Sequence, residues 1–433
     1  FLIGIYHPAH FHFFKNIITS LKDKGHDVRV IARDKEITKR LLSKSNIDYE
    51  IIGDYEKSNF FMKVINSIKI SSEIRKISNK FKPNLLMGVN DTFIIFSTFK
   101  YQKMVFTDDD RWILNTILLI LFSTFLVTPL KFRLNLRKNH IKYSGYHELA
   151  YLHPNNFSQE KVTAENPIVI FRLVGWGSAH DLLHNKKGIS KQTLRNFIPL
   201  FSKKADVFIS SETEVDDKLN NLNQIPVSQF HGFLQKASLV ITDSQTTATE
   251  SALLGTPVIR CNDWVGDDDF TNFLELETKY RLLYNFKDEK KALNFGLEIL
   301  SKTHLYNSIH KLRLKKLLSQ KVDVSEFVYN MVTNKEGIKI IQLGNKDCRP
   351  LSGCYNTLGQ CNFNHKTYVI KKSLLHSSPN NETSHIASSL NKPLVVLFPN
   401  NCYVSQFKPY SRHGSYSQGK TCARTHTKHY RFC

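Results

Sequence analysis

Acidic residues are scarce in this chain. Its 433 residues carry 38 Asp and Glu against 60 Lys and Arg, a formal net charge of +22. Such an excess favours phosphates, anionic lipid headgroups or nucleic acid as partners. Nucleic acid is set aside, because there is no Arg/Gly-rich segment, no aromatic RNA-binding signature and no zinc-finger spacing. Part of the Lys excess accompanies abundant Asn, Ile, Phe and Ser, the amino acids of AT-rich codons. Cysteine is nearly missing from the body, where Cys261 stands alone before Cys348, as expected of a reduced, cytoplasmic protein. The later cysteines form no C-x-x-C pair, so neither a zinc nor a dithiol reading follows.

Long apolar runs are missing too, with one exception. "WILNTILLILFSTFLVTPL", residues 112–130, holds 19 residues without a charge, enough to cross a bilayer. Asn115, Thr116, Ser123, Thr124 and Thr128 dilute it and Pro129 closes it. We read it as a buried helix of about 11 residues followed by the strand "TFLVTP". The opening "FLIGIYHPAHFHFFKNIITSLKDKGHDVRVIARDK" does not resemble a signal peptide, because its helix is charged and amphipathic.

What is present is alternation. Residues 2–6 read as a buried strand, and Pro8 suits the first turn of a helix. Phe11, Phe14, Ile18 and Leu21 recur at helical spacing, Gly25 ends the helix, and "DVRVIAR" is a second strand. Further strands are expected at 49–53, 84–90, 103–107 and 124–129, about six strand–helix steps for one doubly wound parallel sheet. Residues 141–160 break the pattern and read as an interdomain linker. A second series follows, with strands at 167–173, 206–212, 238–244, 257–262 and 281–286. The expected fold class is therefore α/β, with two domains, 1–150 and 151–330, around a cleft.

Sites in such sheets form where loops leave the carboxyl ends of strands. His7 and His10 fall in the first such loop, while His12 lies off the apolar stripe and reads as a solvent or interface residue. Asp108 opens an acidic triplet after the strand at 103–107. In "VITDSQTTATESALLGTPVIRCN", residues 240–262, a strand ends at Asp243 and a helix begins near Thr246. Ser244, Thr246 and Thr247 offer hydroxyls and amides where a helix dipole favours phosphate. Glu250, one turn on, is placed to accept the hydroxyls of a ribose. Capping of the helix by Ser or Thr explains the same letters. "FRLVGWGSAHD" leaves the first strand of the second series, with Arg172 suited to phosphate and Trp176, Ser178, His180 and Asp181 to a sugar.

Six motifs in order, "HPAHFHFFKNIITSLKDKGHDVRVIARDK", "GYHELAYLHPNNF", "FRLVGWGSAHD", "DSQTTATESALLGTPVIRCN", "NFLELE" and "LLYNF", resemble the archaeal and bacterial family known as domain of unknown function 354. The resemblance covers residues 1–305. That family is similar to glycosyltransferases of the GT-B type and to UDP-N-acetylglucosamine 2-epimerase. It implies a GT-B-like fold: an acceptor-side Rossmann-like domain, a nucleotide-sugar Rossmann-like domain and a cleft between them. It implies a UDP-type nucleotide-sugar as substrate, with no cofactor or metal, and a glycan or lipid-linked acceptor. By this resemblance Ser244, Thr246 and Thr247 take the diphosphate, Glu250 the ribose, and His10, with His7 second, deprotonates the acceptor. Gln245–Thr246 replaces the Gly-Gly pair of epimerases and many transferases, and Arg281 stands where the family has Gly. The expected activity is nucleotide-sugar-dependent glycosyl transfer in polysaccharide biosynthesis, at the cytoplasmic side and peripheral on the inner face of the membrane. Two alternatives are a sugar-nucleotide epimerase and a non-catalytic glycan- or membrane-surface-binding scaffold.

Residues 337–410 resemble, more weakly, the nucleotide-binding half of heptosyltransferase-type enzymes (glycosyltransferase family 9), through "IIQLG", "LSGCYNTLGQ", "NNETSHIASSLNKPLVVLF" and "FKPYS". A partial third α/β unit is expected there. Residues 411–433 contain no Leu, Ile, Val or Met, so a disordered tail is expected. A shifted reading frame would give the same composition.

Overall fold

The computed structural model describes residues 1–34, 36–53, 60–134, 139–158, 162–175, 187–211, 223–226, 229–333, 341–351, 355–373, 376–379, 381–390, 394–398 and 414–418. The chain divides into two compact units, Phe1–Val332 and Thr333–Cys433.

The first unit contains two separate parallel sheets. Strands β1 (Leu2–Ile5), β2 (Arg29–Ala32), β3 (Tyr49–Ile51), β4 (Leu85–Val89), β5 (Gln102–Phe106), β6 (Phe125–Pro129) and β7 (His140–Tyr143) form one, in the order β3-β2-β1-β4-β5-β6-β7. Strands β8 (Ile168–Leu173), β9 (Asp206–Ser211), β10 (Asn223–Gln224), β11 (Leu239–Thr242), β12 (Val258–Cys261) and β13 (Tyr284–Phe286) form the other, ordered β10-β9-β8-β11-β12-β13. Both reverse strand order beside their first strand, between β1 and β4 and between β8 and β11. Crevices open at the carboxyl ends of such strands. All residues of β4, β11 and β12 are buried, as continuous apolar runs in a doubly covered sheet require.

The segment expected to be a linker is structural. β7 extends the first sheet, and helix Leu149–Leu152 is buried along its whole length. Its period is hidden because one turn of helix carries no repeat. Helix Val324–Thr333 then returns to the first sheet's side, where Ser325 Oγ donates to the Ala150 carbonyl at 2.6 Å and Val322 N–H to that of Ser144 at 2.8 Å. One apolar core therefore runs through both halves, from Phe13 and Phe106 to Val240, Phe273 and Val328.

The charge-free run of 112–130 resolves into helix Ile113–Phe122 and β6. The helix is not the buried one expected: only Thr116 and Leu119 of its residues are buried. Leu118, Ile120 and Phe122 pack half-buried against the sheet, and Ile113, Leu114, Ile117 and Leu121 are turned outward.

Arg281 follows the π-helical turn Glu275–Tyr280 with φ +54°, in the left-handed region that glycine adopts without cost. The glycine of the resembled family has its physical reason here. Arg281→Gly should raise stability by about 1 kcal/mol in denaturant unfolding; an unchanged midpoint would contradict the strain.

In the second unit, β16 (His376–Pro379), β17 (Leu394–Phe398) and β18 (Gly414–Gln418) form a parallel three-stranded sheet, and β14 (Ile341–Gln342) pairs with β15 (Tyr355–Asn356). Asn381 caps helix Glu382–Ser389 in a reciprocal arrangement with Ser384. β18 lies inside the segment expected to be a disordered tail. An outer strand needs only backbone pairing with its neighbour, which a sequence without aliphatic residues can supply. The rest of 411–433 lies outside the described residues.

Candidate active site

In the second sheet, the end of β11 is tied to the end of β8. Thr242 Oγ1 donates to the Arg172 carbonyl at 2.7 Å, and Val174 N–H donates to Asp243 Oδ1 at 2.9 Å. Ser244 then opens helix Gln245–Leu253 as its cap, its Oγ accepting the Thr247 N–H at 3.3 Å. Thr247 is buried, while Thr246 is exposed on the first turn. Arg172 donates from Nη1 to the carbonyls of Leu173 at 3.2 Å and Ser210 at 3.4 Å, at the same strand edge. Arg172 at the end of β8 and Ser244, Thr246 and Thr247 after β11 thus lie at the carboxyl ends of two neighbouring strands. Trp176, Ser178, His180 and Asp181 lie outside the described residues.

Glu250 is 5% exposed and faces the other half of the molecule. Its Oε1 accepts from Tyr151 OH at 2.7 Å and lies 2.9 Å from His231 Nε2. Burial pushes its pKa up, but His231 and Tyr151 outweigh burial and the net shift is down. Glu250 is therefore a carboxylate. Both bonds fall on one oxygen, so Oε2 takes part in neither. The His12 ring packs 5.0 Å from His231 and 5.2 Å from Tyr151. Burial and then His231 push His12 down to about 3, which keeps it neutral. His12 is the interface residue expected from its place off the apolar stripe.

His7 and His10 sit at the start of helix Pro8–Asp23. His7 caps it, its Nδ1 accepting the Ala9 N–H at 3.2 Å, and His10 Nδ1 accepts the Tyr6 N–H at 3.5 Å. A neutral ring that accepts at Nδ1 carries its proton on Nε2 and presents a donor there.

Asp108 has the opposite consequence. Following β5, its Oδ1 lies 3.3 Å from Nδ1 of His147, which follows β7. This pairing places the histidine proton on Nδ1 and the lone pair on Nε2, which is buried and has no hydrogen-bond partner among the described residues. Burial raises the Asp108 pKa, and His147 more than reverses it, so Asp108 is ionised. Neighbouring Glu148 is driven well above the carboxylate range, first by burial and then by the charge of Asp108. Asp109 is pushed up to about 6 by burial and by Asp108. Asp108 and Glu148 are thus neighbouring carboxyl groups shifted in opposite directions.

Asp108 also lines a small pocket between the halves, with Lys131, Tyr146, Asn272, Glu275 and Lys321 among others. Ion pairs also join the two halves. Arg133 Nη1 lies 2.5 Å from Asp268 Oδ1, Arg111 Nη2 lies 3.3 Å from Asp268 Oδ2, and fully buried Arg260 pairs with Asp269. Among the described residues, no group of three or more His, Cys, Asp or Glu could hold a metal ion.

His147, Glu148, Tyr151 and His231 went unnoticed in the sequence. The signal was "GYHELAYL", where polar residues interrupt an apolar stretch, but it was read as a connector. His231 sits in a short helix, Phe230–Lys236, with no local pattern of its own.

No family model matches the chain, and no curated protein matches it. Solved structures do. The UDP-GlcNAc 2-epimerase of Neisseria meningitidis, solved with UDP-GlcNAc, is 14% identical over 74% of this chain and 98% of its own, with a TM-score of 0.52. MnaA of S. aureus, solved with UDP, is 12% identical over 76% and 95%, with a TM-score of 0.55. The spinosyn forosaminyltransferase is 13% identical over 77% and 99%, with a TM-score of 0.53. At such identities the likeness is one of architecture: the chain has the two-domain GT-B-like fold found in both glycosyltransferases and UDP-GlcNAc 2-epimerases.

Proposed function

We propose that the chain is a nucleotide-sugar-dependent glycosyltransferase of glycan biosynthesis, related to the domain of unknown function 354 family. The observation that carries this reading is the crevice between the carboxyl edges of two Rossmann-like sheets. A capped helix start and an anchored carboxylate, Ser244 and Glu250, stand on one side, and the Asp108–His147 pair on the other. The diphosphate of the donor rests on the first turn of helix Gln245–Leu253, with Thr246 and Arg172 beside it, and the ribose meets Glu250 Oε2. An acceptor hydroxyl attacks the anomeric carbon, the bond from that carbon to the diphosphate oxygen breaks, and the hydroxyl proton passes to a base. His147, oriented by Asp108, is the candidate base, with Nε2 buried in this conformation and reached once the halves part; the Nδ1 atoms of His10 and His7 already accept backbone N–H groups. The acceptor is a glycan or a lipid-linked saccharide, and residues 337–410 are a related glycosyltransferase-family-9-like piece.

The Asp108/Glu148 contrast also suits proton removal from a sugar carbon, which keeps the epimerase reading in view. Incubation with UDP-sugars separates the two. Release of UDP that depends on an acceptor supports transfer; acceptor-independent isomerisation with UDP retained supports epimerisation and overturns transfer.

A further inference from the structure

Large apolar side chains that the fold leaves outside gather on one face of the first sheet. Leu114 is 74% exposed, Leu121 67% and Ile113 57%, with Ile117 between them on the same side of helix Ile113–Phe122. Phe99, 75% exposed, and Phe96 continue the face, their rings 6.5 Å and 4.9 Å from that of Phe122. A contiguous apolar exposure of this kind marks an interaction surface. Its charge setting says which. No Asp or Glu occurs between Arg111 and Lys142, and exposed Lys100 directly follows Phe99. The nearest acids in sequence, Asp108, Asp109 and Asp110, are turned to His147, the Arg111 N–H and Arg133, and exposed Asp268 is paired with Arg111 and Arg133. A second copy would bring the same basic rim against itself, in a chain whose formal charge is already +22. A surface of anionic headgroups over hydrocarbon matches both features at once. At ten residues the helix is far too short to span a bilayer, and among the described residues no helix is long and apolar enough to do so.

We propose that this face docks the protein on an anionic lipid surface, with Ile113, Leu114, Ile117, Leu121 and Phe99 entering the acyl boundary and Lys100 meeting headgroups. Asp108 precedes the helix by five residues, so the docked face borders the crevice and holds its mouth near the membrane. The inference stands on exposure and charge alone and does not require the nucleotide-sugar reading.

Flotation of the full chain with vesicles of phosphatidylglycerol and phosphatidylcholine, against phosphatidylcholine alone, tests it. Binding is expected to need phosphatidylglycerol and to weaken with salt. The double variant Leu114→Glu/Leu121→Glu should lower the partition coefficient at least roughly tenfold, with an unchanged thermal unfolding profile and unchanged heats of nucleotide binding. Both side chains are exposed, so the fold tolerates the change. Absence of wild-type flotation, or flotation unaltered by the double substitution, would overturn the proposal. So would a concentration-dependent dimer that the same substitutions disperse without any lipid binding, because a second copy would then be what covers the face.

Discussion

His147→Ala is expected to cut turnover by roughly 10²–10⁴ while leaving nucleotide affinity nearly unchanged. The reason is geometric. Asp108 lies 3.3 Å from Nδ1 and fixes the tautomer, which leaves Nε2 as the acceptor, and Nε2 has no hydrogen-bond partner among the described residues. Asp108→Asn should lose a smaller part of the rate, because the histidine remains but its orientation and the stabilisation of its charged form do not. His10→Ala should cost less than His147→Ala, since the lone pair of His10 Nδ1 is turned to the Tyr6 amide. Steady-state kcat and KM for the three variants decide it. If His10→Ala proves the more damaging and His147→Ala retains full kcat, the base is His10.

Glu250→Gln is expected to weaken nucleoside diphosphate binding roughly 10- to 150-fold, about 1.5–3 kcal/mol, the worth of hydrogen bonds to a charged group. The isosteric amide can still accept from Tyr151, so the interface is kept while the charge is lost. Glu250 is held as a carboxylate by His231 and Tyr151 despite its burial. Its depressed pKa stabilises the fold above the ordinary carboxylate range and withdraws that support as the pH falls through the folded value. Glu250→Gln should therefore also flatten the acid limb of the stability profile. Unaltered nucleotide affinity in the variant would show that Glu250 serves only the interface between the halves.

The two sheets were legible because their strands are continuous apolar runs separated by helical periods, as in "NLLMGVN" and "SLVITDS". β7, β10 and helix Leu149–Leu152 were not: "HIKY" and "NQ" contain no apolar run, and a single helical turn shows no repeat. The helix start at Ser244 and the position of Glu250 one turn on could be read locally, because spacing along one helix fixes their relation. The partners of Glu250 could not. Tyr151 is 99 residues away and His231 is 19, and only packing between the halves brings them to one oxygen. Asp108 was singled out for its place after a strand, yet its function as the orienter of His147 depends on β5 and β7 ending at the same edge of the sheet. The exposure of helix Ile113–Phe122 was misread for the opposite reason: apolar composition suggested burial, and only the outward turn of Ile113, Leu114, Ile117 and Leu121 shows otherwise.

Titration calorimetry of the full chain with UDP, GDP, CDP and dTDP tests the central claim most directly. The crevice account requires saturable one-to-one heat with at least one of these nucleotides, and the Glu250→Gln variant should weaken it by the factor given above. No heat with any of the four would contradict a nucleotide-sugar site and leave a non-catalytic scaffold as the better reading.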